Sequence, residues 1–228
     1  LARAKMEDDR PAANLILLDV QAGQQESVAA QIRPTGMEVL ENIPIVTMRL
    51  ASIAGRPVEV IRADSTSTIN PWILSHEFRV TYRDSLIPSE VLQEGEWISS
   101  YAGTGPVPVS LSDNVARDAR VTVGDTLVFN VQGVLMDTYV ASIRQVDWGR
   151  MQLNFSVVFP PGVLEDAPRF HVMTTYAPDT ESSARLQQAL VRNFPNITVL
   201  DIRQIMDVIA DILDKIGWVI RFMAFFSI

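Results

Sequence analysis

Acidic side chains that could do acid–base work or hold a metal fall into three groups: Glu7, Asp8 and Asp9; Glu94 and Glu96; Glu165 and Asp166. A carboxylate pair becomes catalytic when its surroundings push the two pKa values apart. Each group here lies in a polar lead-in or a predicted turn, so each reads as a solvated face. The stretch "GVLEDAP" (162–168) lacks the ligand spacing of a calcium loop and reads as a turn with a helix start. The two histidines, His76 and His171, stand far apart and read as polar strand residues rather than ligands. The serines of "DSTST" (64–68) adjoin Asn70-Pro71 and read as a loop, not as nucleophiles. No G-x-S-x-G elbow occurs. The "GTG" at 103–105 is too short to cradle a phosphate, and no G-x-x-x-x-G-K-[ST] pattern is present. With no cysteine, thiolate nucleophiles, thiolate metal sites and disulfides are excluded. Trp72, Trp97 and Trp148 read as core or interface anchors. No catalytic, cofactor-binding or metal-binding set emerges, and the chain reads as a non-enzyme.

The elements around these residues suggest what the chain does instead. Its 228 residues, 47% hydrophobic and 20% charged, are enough for one large domain or two small ones. A net charge of −8 argues against a nucleic-acid partner, because no basic surplus exists to neutralise phosphates. The opening "LARAK" has neither an initiator methionine nor a signal-peptide pattern. Both ends read as cuts, and the chain is expected to be part of a longer protein. After a polar lead-in (1–12), "NLILLDVQ" (14–21) reads as a buried strand. A helix carrying Val28, Ala29 and Ile32 follows, then the strand "IPIVTMRLASI" (43–53). The last third repeats this grammar. "RFHVMTTY" (169–176) reads as a strand, "ESSARLQQALVRNF" (181–194) as a helix and "ITVLDI" (197–202) as a strand. Between the repeats, short alternating runs and the turn pairs Gly124-Asp125 and Gln132-Gly133 predict a β-rich insertion. The expected class is α+β: a split ferredoxin-like α/β subdomain with an inserted β-rich one. The expected division is 1–57, 58–166, 167–201 and a terminal helix 202–228.

That terminal helix is the strongest pattern in the sequence. Ile202, Ile205, Ile209, Ile212, Ile216, Val219, Met223 and Phe226 are spaced alternately by three and four, as in the seam of a heptad repeat. Asp201 reads as its N-cap, with Gln204 completing a capping-box-like start. At about 1.5 Å per residue the helix would run about 40 Å. Charges crowd its first half, at Arg203, Asp207, Asp211, Asp214 and Lys215; beyond that only Arg221 is charged. The second half therefore has the composition of a membrane entry. A full span needs about 20 apolar residues, more than the segment after Lys215 supplies. Trp218 and Arg221 are the residues expected at the membrane interface.

Four stretches carry a resemblance: "DRPAANLILLDVQ" (9–21), "EFRVTYRDSLIPSEVLQEGEW" (77–97), "VDWGRMQLNFSVVFPPGVLEDAP" (146–168) and "FPNITVLDIRQIMDVI" (194–209). Together they resemble the large extracytoplasmic domain of bacterial ABC-transporter permeases of the FtsX/MacB superfamily, and among these the YbbP-type permeases. The last stretch is generic to the superfamily. The resemblance implies a MacB-like periplasmic domain of an inner-membrane protein, set between its first two transmembrane helices. It implies a split porter subdomain, an inserted β-rich one and a stalk helix seamed by Ile202, Ile205, Ile209, Ile212 and Ile216. It implies no cofactor in this chain, since ATP would be bound by a separate cytoplasmic ATPase subunit. Its implied function is mechanotransmission, the coupling of ATP hydrolysis to periplasmic shape change, for extraction or export of lipid-like compounds. Implied partners are that ATPase, a second permease copy, the membrane and a periplasmic thioesterase or lysophospholipase. The alternative is a lipid- or ligand-binding module that presents substrate to a partner esterase.

Overall fold

The computed structural model describes the backbone of residues 12–150 and 152–226 and the side chains up to Trp218 apart from Met151. The acidic group Glu7, Asp8 and Asp9 and the rest of the polar lead-in up to Pro11 lie outside the described residues. The chain divides into two units, residues 1–43 with 171–228, and residues 44–170. The sequence-based divisions after residues 57 and 166 both fall inside the second unit. The reason is β2, which runs unbroken from Val39 to Ile53 and carries the chain from one unit into the other without a linker.

The first unit contains two strand–helix–strand repeats. The first repeat is β1 (Leu15–Gln21), α1 (Gln25–Ile32) and the start of β2. The second is β10 (Phe170–Thr175), α5 (Thr180–Asn193) and β11 (Thr198–Asp201). The strand order is β11-β1-β10-β2, so the two repeats interleave at the middle of the sheet. β1 and β11 pair antiparallel, Leu15 opposite Asp201 and Leu18 opposite Thr198. One apolar core forms between strands and helices. It holds Leu15, Leu17 and Val20 of β1, Val28, Ala29 and Ile32 of α1, Leu186 and Leu190 of α5, and Met173 of β10. The apolar run of β1 suggested a strand covered on both faces, but Ile16 and Leu18 are only half-buried. Left-handed backbone at Asp19 (φ 61°) then shifts the buried face from Leu17 to Val20. Asp179 caps α5 by accepting from the Ser182 N–H at 2.7 Å, the expected N-cap geometry.

The second unit is the β-rich insertion. Its strands are the rest of β2, β3 (Arg56–Pro57), β4 (Phe78–Tyr82), β5 (Glu90–Gly95), β6 (Val107–Ser112), β7 (Thr126–Val131), β8 (Val134–Val146) and β9 (Val157–Phe159). Short helices α2 (Val58–Ala63), α3 (Pro71–Ser75) and α4 (Asp113–Ala119) connect them. The pairings β2–β4, β4–β9, β9–β6, β6–β8, β8–β7 and β7–β2 return to their starting strand, so six strands close into a ring. Closure removes exposed edges and leaves an interior that side chains must fill. Phe78, Phe129 and Phe159 fill it edge-to-face, with ring centroids 6.2 and 5.8 Å apart. Val109, Leu111, Val140 and Val157 complete the packing. The predicted Gln132-Gly133 turn joins β7 to β8 with φ of 51° and 104°, the left-handed pair that a type I′ hairpin requires. β5 lies on β8 outside the ring, and Gly95 (φ 76°) ends it where an added Cβ would stand 2.1 Å from the Ala141 carbonyl oxygen. Residues 96–103, "EWISSYAG", form no strand, and α4 follows β6 directly, starting at Asp113.

Candidate functional site

The residues singled out for chemistry do not come together. Glu94 and Glu96 are exposed at the end of β5. Glu165 accepts from the Gly162 N–H at 2.7 Å and so stabilises its own turn. His76 is not a strand residue: it ends α3 and packs edge-to-face between Trp72 and Phe78, at 5.0 and 4.9 Å. His171 is buried in β10, and its Nδ1 lies 2.8 Å from Asn42 Oδ1. No group of three His, Cys, Asp or Glu side chains able to hold a metal occurs among the described residues. Trp148 is 52% exposed, while Trp72 donates from Nε1 to Asp118 at 2.6 Å.

A buried ionic cluster exists where the sequence reading did not look. Glu90 of β5 accepts from Arg144 Nη1 of β8 at 2.7 Å, and also from Arg83. The side chains of Glu90 and Arg144 are fully buried. Arg144 also donates to Ser110 Oγ at 3.1 Å and to the Phe155 carbonyl at 2.8 Å. Burial pulls its guanidinium down to about 10; Glu90 opposes that shift and Arg83 adds to it. Arg83 also stands 5.8 Å from the centre of the Trp97 ring. A signal for this cluster is present in the sequence. Val140, Arg144 and Val146 share one period-two face of β8, and a charge on a core-facing position demands a buried partner. The cluster ties β5, β6 and β8 together inside the second unit, with the side chains of Glu90 and Arg144 closed off from solvent.

The feature with functional reach is α6 (Ile202–Phe226), which starts directly where the edge strand β11 ends. Its base is fixed. Asp201, buried and 1% exposed at its carboxylate, accepts from the Arg203 N–H at 3.0 Å and from Ser183 Oγ at 2.6 Å. Burial alone would raise the Asp201 pKa, but the hydrogen bonds from Arg203 and Ser183 outweigh it and hold the carboxyl below its usual range. The same contact raises the Arg203 pKa. The predicted N-cap is therefore present, and the Arg203 guanidinium adds two further donors to the same carboxylate, at 3.3 and 3.2 Å.

Beyond the base, α6 is uncovered over its described side chains, as far as Trp218. The seam residues Ile205, Ile209, Ile212 and Ile216 are 45%, 44%, 50% and 50% exposed; Ile202 alone is half-buried. A terminal helix docked on its own domain would bury that stripe. Met206, Val208 and Leu213 are exposed too and widen the stripe, while Asp207, Asp211 and Asp214 lie off it. At the root of the stripe an open recess of about 340 Å³ is lined by Val199, Leu200, Ile205, Val208 and Ile209. Trp218 is 65% exposed. The side chain of Arg221, its proposed companion at a membrane interface, lies outside the described residues, as do those of Val219, Met223 and Phe226. Among the described residues no helix is long and apolar enough to cross a membrane.

Comparison with known proteins adds a relative. No family model matches the chain. The Escherichia coli K12 protein described as uncharacterized ABC transporter permease YbbP is 27% identical over 163 residues, or 72% of this chain. The matched region is 18% of that protein, so the chain spans under a fifth of its relative's length. A crystallised domain of a suspected permease from Porphyromonas gingivalis matches 84% of this chain and 90% of its own, with a TM-score of 0.36 and 9% identity. The chain is thus similar to an ABC-transporter permease over most of its length.

Proposed function

We propose that this chain is the extracytoplasmic domain of an ABC-transporter permease subunit, and that it transmits motion. ATP would be hydrolysed by a separate cytoplasmic ATPase subunit, and α6 would be the stalk that carries the resulting movement from the membrane. The first unit is then the split ferredoxin-like porter of a MacB-like domain, and the six-stranded ring its inserted β-rich subdomain. The observation that carries this reading is α6: a heptad-patterned helix, rooted in the sheet, whose apolar face its own domain leaves uncovered. Similarity to a permease supplies the setting. Lipid-like compounds are the proposed cargo, with a second permease copy and a periplasmic thioesterase or lysophospholipase as further partners. The domain would then act without chemistry of its own.

Topology tests it. The chain has no cysteine, so Ala210→Cys on the exposed face of α6 would be a unique label site within it. In the intact permease, a membrane-impermeant maleimide should label this cysteine in cells whose outer membrane has been permeabilised. Labelling only after lysis would place α6 on the cytoplasmic side and end this reading.

The recess at the root of α6 favours a second reading, in which the domain holds an apolar molecule for a partner esterase. Native mass spectrometry of detergent-free protein would then show an added lipid mass, lost in Val208→Asp. A clean unliganded mass in the parent chain would reject it.

A further inference from the structure

We infer that Asn14, Asp201 and Arg203 form a rigid joint that makes α6 and the sheet of the first unit turn as one body. Its use in transport rests on the stalk reading above; the joint itself does not. A strand-to-helix junction is an obvious place for a hinge, because bending there needs only a few backbone dihedrals to change. This junction has no spare residue, since β11 ends at Asp201 and α6 begins at Ile202. Bonds from three other elements cross it. From the start of β1, the Asn14 carbonyl accepts the Ile202 N–H at 2.9 Å. From α5, Ser183 donates to the Asp201 carboxylate at 2.6 Å. From the turn between β10 and α5, the carbonyls of Ala177 and Asp179 accept the two ends of the Arg203 guanidinium, at 3.1 and 3.3 Å.

Asn14 then closes the network. Its side chain donates to the Ala177 carbonyl at 2.8 Å and accepts the Ala177 N–H at 2.7 Å, which ties the turn back to β1. Tilting α6 about Ile202 would break the Asn14 bond and drag Arg203 away from both carbonyls. It would also leave a buried carboxylate short of its donors, the state that folded proteins avoid most strongly. Past this network every described residue from Gln204 to Ile216 is exposed. The direction of the helix is therefore set at its root, where a guanidinium fork offers the fixed geometry that a lysine cannot.

Spin-label distance measurement on the 228-residue chain tests this. Labels at Gln188→Cys on α5 and Ala210→Cys on α6 sit on exposed positions in a cysteine-free chain. The parent pair should give a narrow distance distribution. Arg203→Ala, which leaves the Ser183–Asp201 bond in place, should widen it with the circular dichroism of the domain unchanged. Arg203→Lys should widen it as well, although its charge is kept. A broad distribution in the parent chain, or an unchanged width in both variants, would overturn the joint. Because no membrane or ATPase is present, a rigid joint can stand even if α6 proves not to be a stalk. Equally, a loose joint would leave the topology result intact.

Discussion

Glu90→Ala is expected to lower the unfolding free energy by about 3–5 kcal/mol, the cost of removing one partner from a buried ion pair. Urea denaturation reads it directly as a fall in midpoint. The argument rests on where the charge goes. Arg144 is fully buried and cannot reach water. Its neutral contacts to Ser110 and Phe155 would remain, but its charge would have no counterpart. Arg83 is in a different position: its side chain is 17% exposed and rests against Trp97, so it can turn outward. The loss should therefore come mainly from Arg144. The paired replacement Glu90→Leu with Arg144→Met removes both charges and is expected to be far milder than Glu90→Ala alone, because a buried ion pair contributes little net stability over apolar packing. A Glu90→Ala cost below about 1 kcal/mol, the range of solvated surface pairs, would mean that water reaches Arg144 and the cluster is not dry.

That cluster also marks how far the sequence could be read. The repeats of the first unit were legible because their signals are local. Val28, Ala29 and Ile32 share a helix face, Pro195-Asn196 ends α5, and Asp201 stands where a cap belongs. The closed ring was not legible, because closure depends on pairings between strands far apart in the chain, such as Arg49 with Asn130 and Thr81 with Val158. No local pattern encodes that Phe78, Phe129 and Phe159 meet. For α6, the period of the seam was plain in the sequence, but its exposure was not. An apolar stripe looks the same whether a core covers it or leaves it bare. The clamp at its root joins Asn14 to Arg203, residues at opposite ends of the chain, so only the fold brings them together.

Ile209→Pro should separate folding from function. Proline at this position removes the hydrogen bond from the residue 209 N–H to the Ile205 carbonyl and clashes with that turn, at a cost of about 3 kcal/mol or more to the helix. None of that loss falls on the described core of the first unit, which is built from β1, α1, β10, α5 and their connections and includes none of the described side chains of α6. The isolated chain is therefore expected to keep its strand signal and its unfolding midpoint, and to lose only part of its helical signal. In the intact permease the same change interrupts the helix midway between its clamped root at Asp201 and Arg203 and the thinly charged stretch beyond Lys215. If α6 carries movement, ATP should still be consumed while transport falls to background, because a kinked helix absorbs rotation that a straight one passes on. Ile209→Ala is the control. It trims the seam and leaves the backbone helical, so it should retain coupling if stiffness is what matters. It should lose coupling if the seam's contact with a partner helix is what matters. Transport that survives Ile209→Pro would remove the stalk from the mechanism, and the uncovered face of α6 would then have to serve as a docking surface.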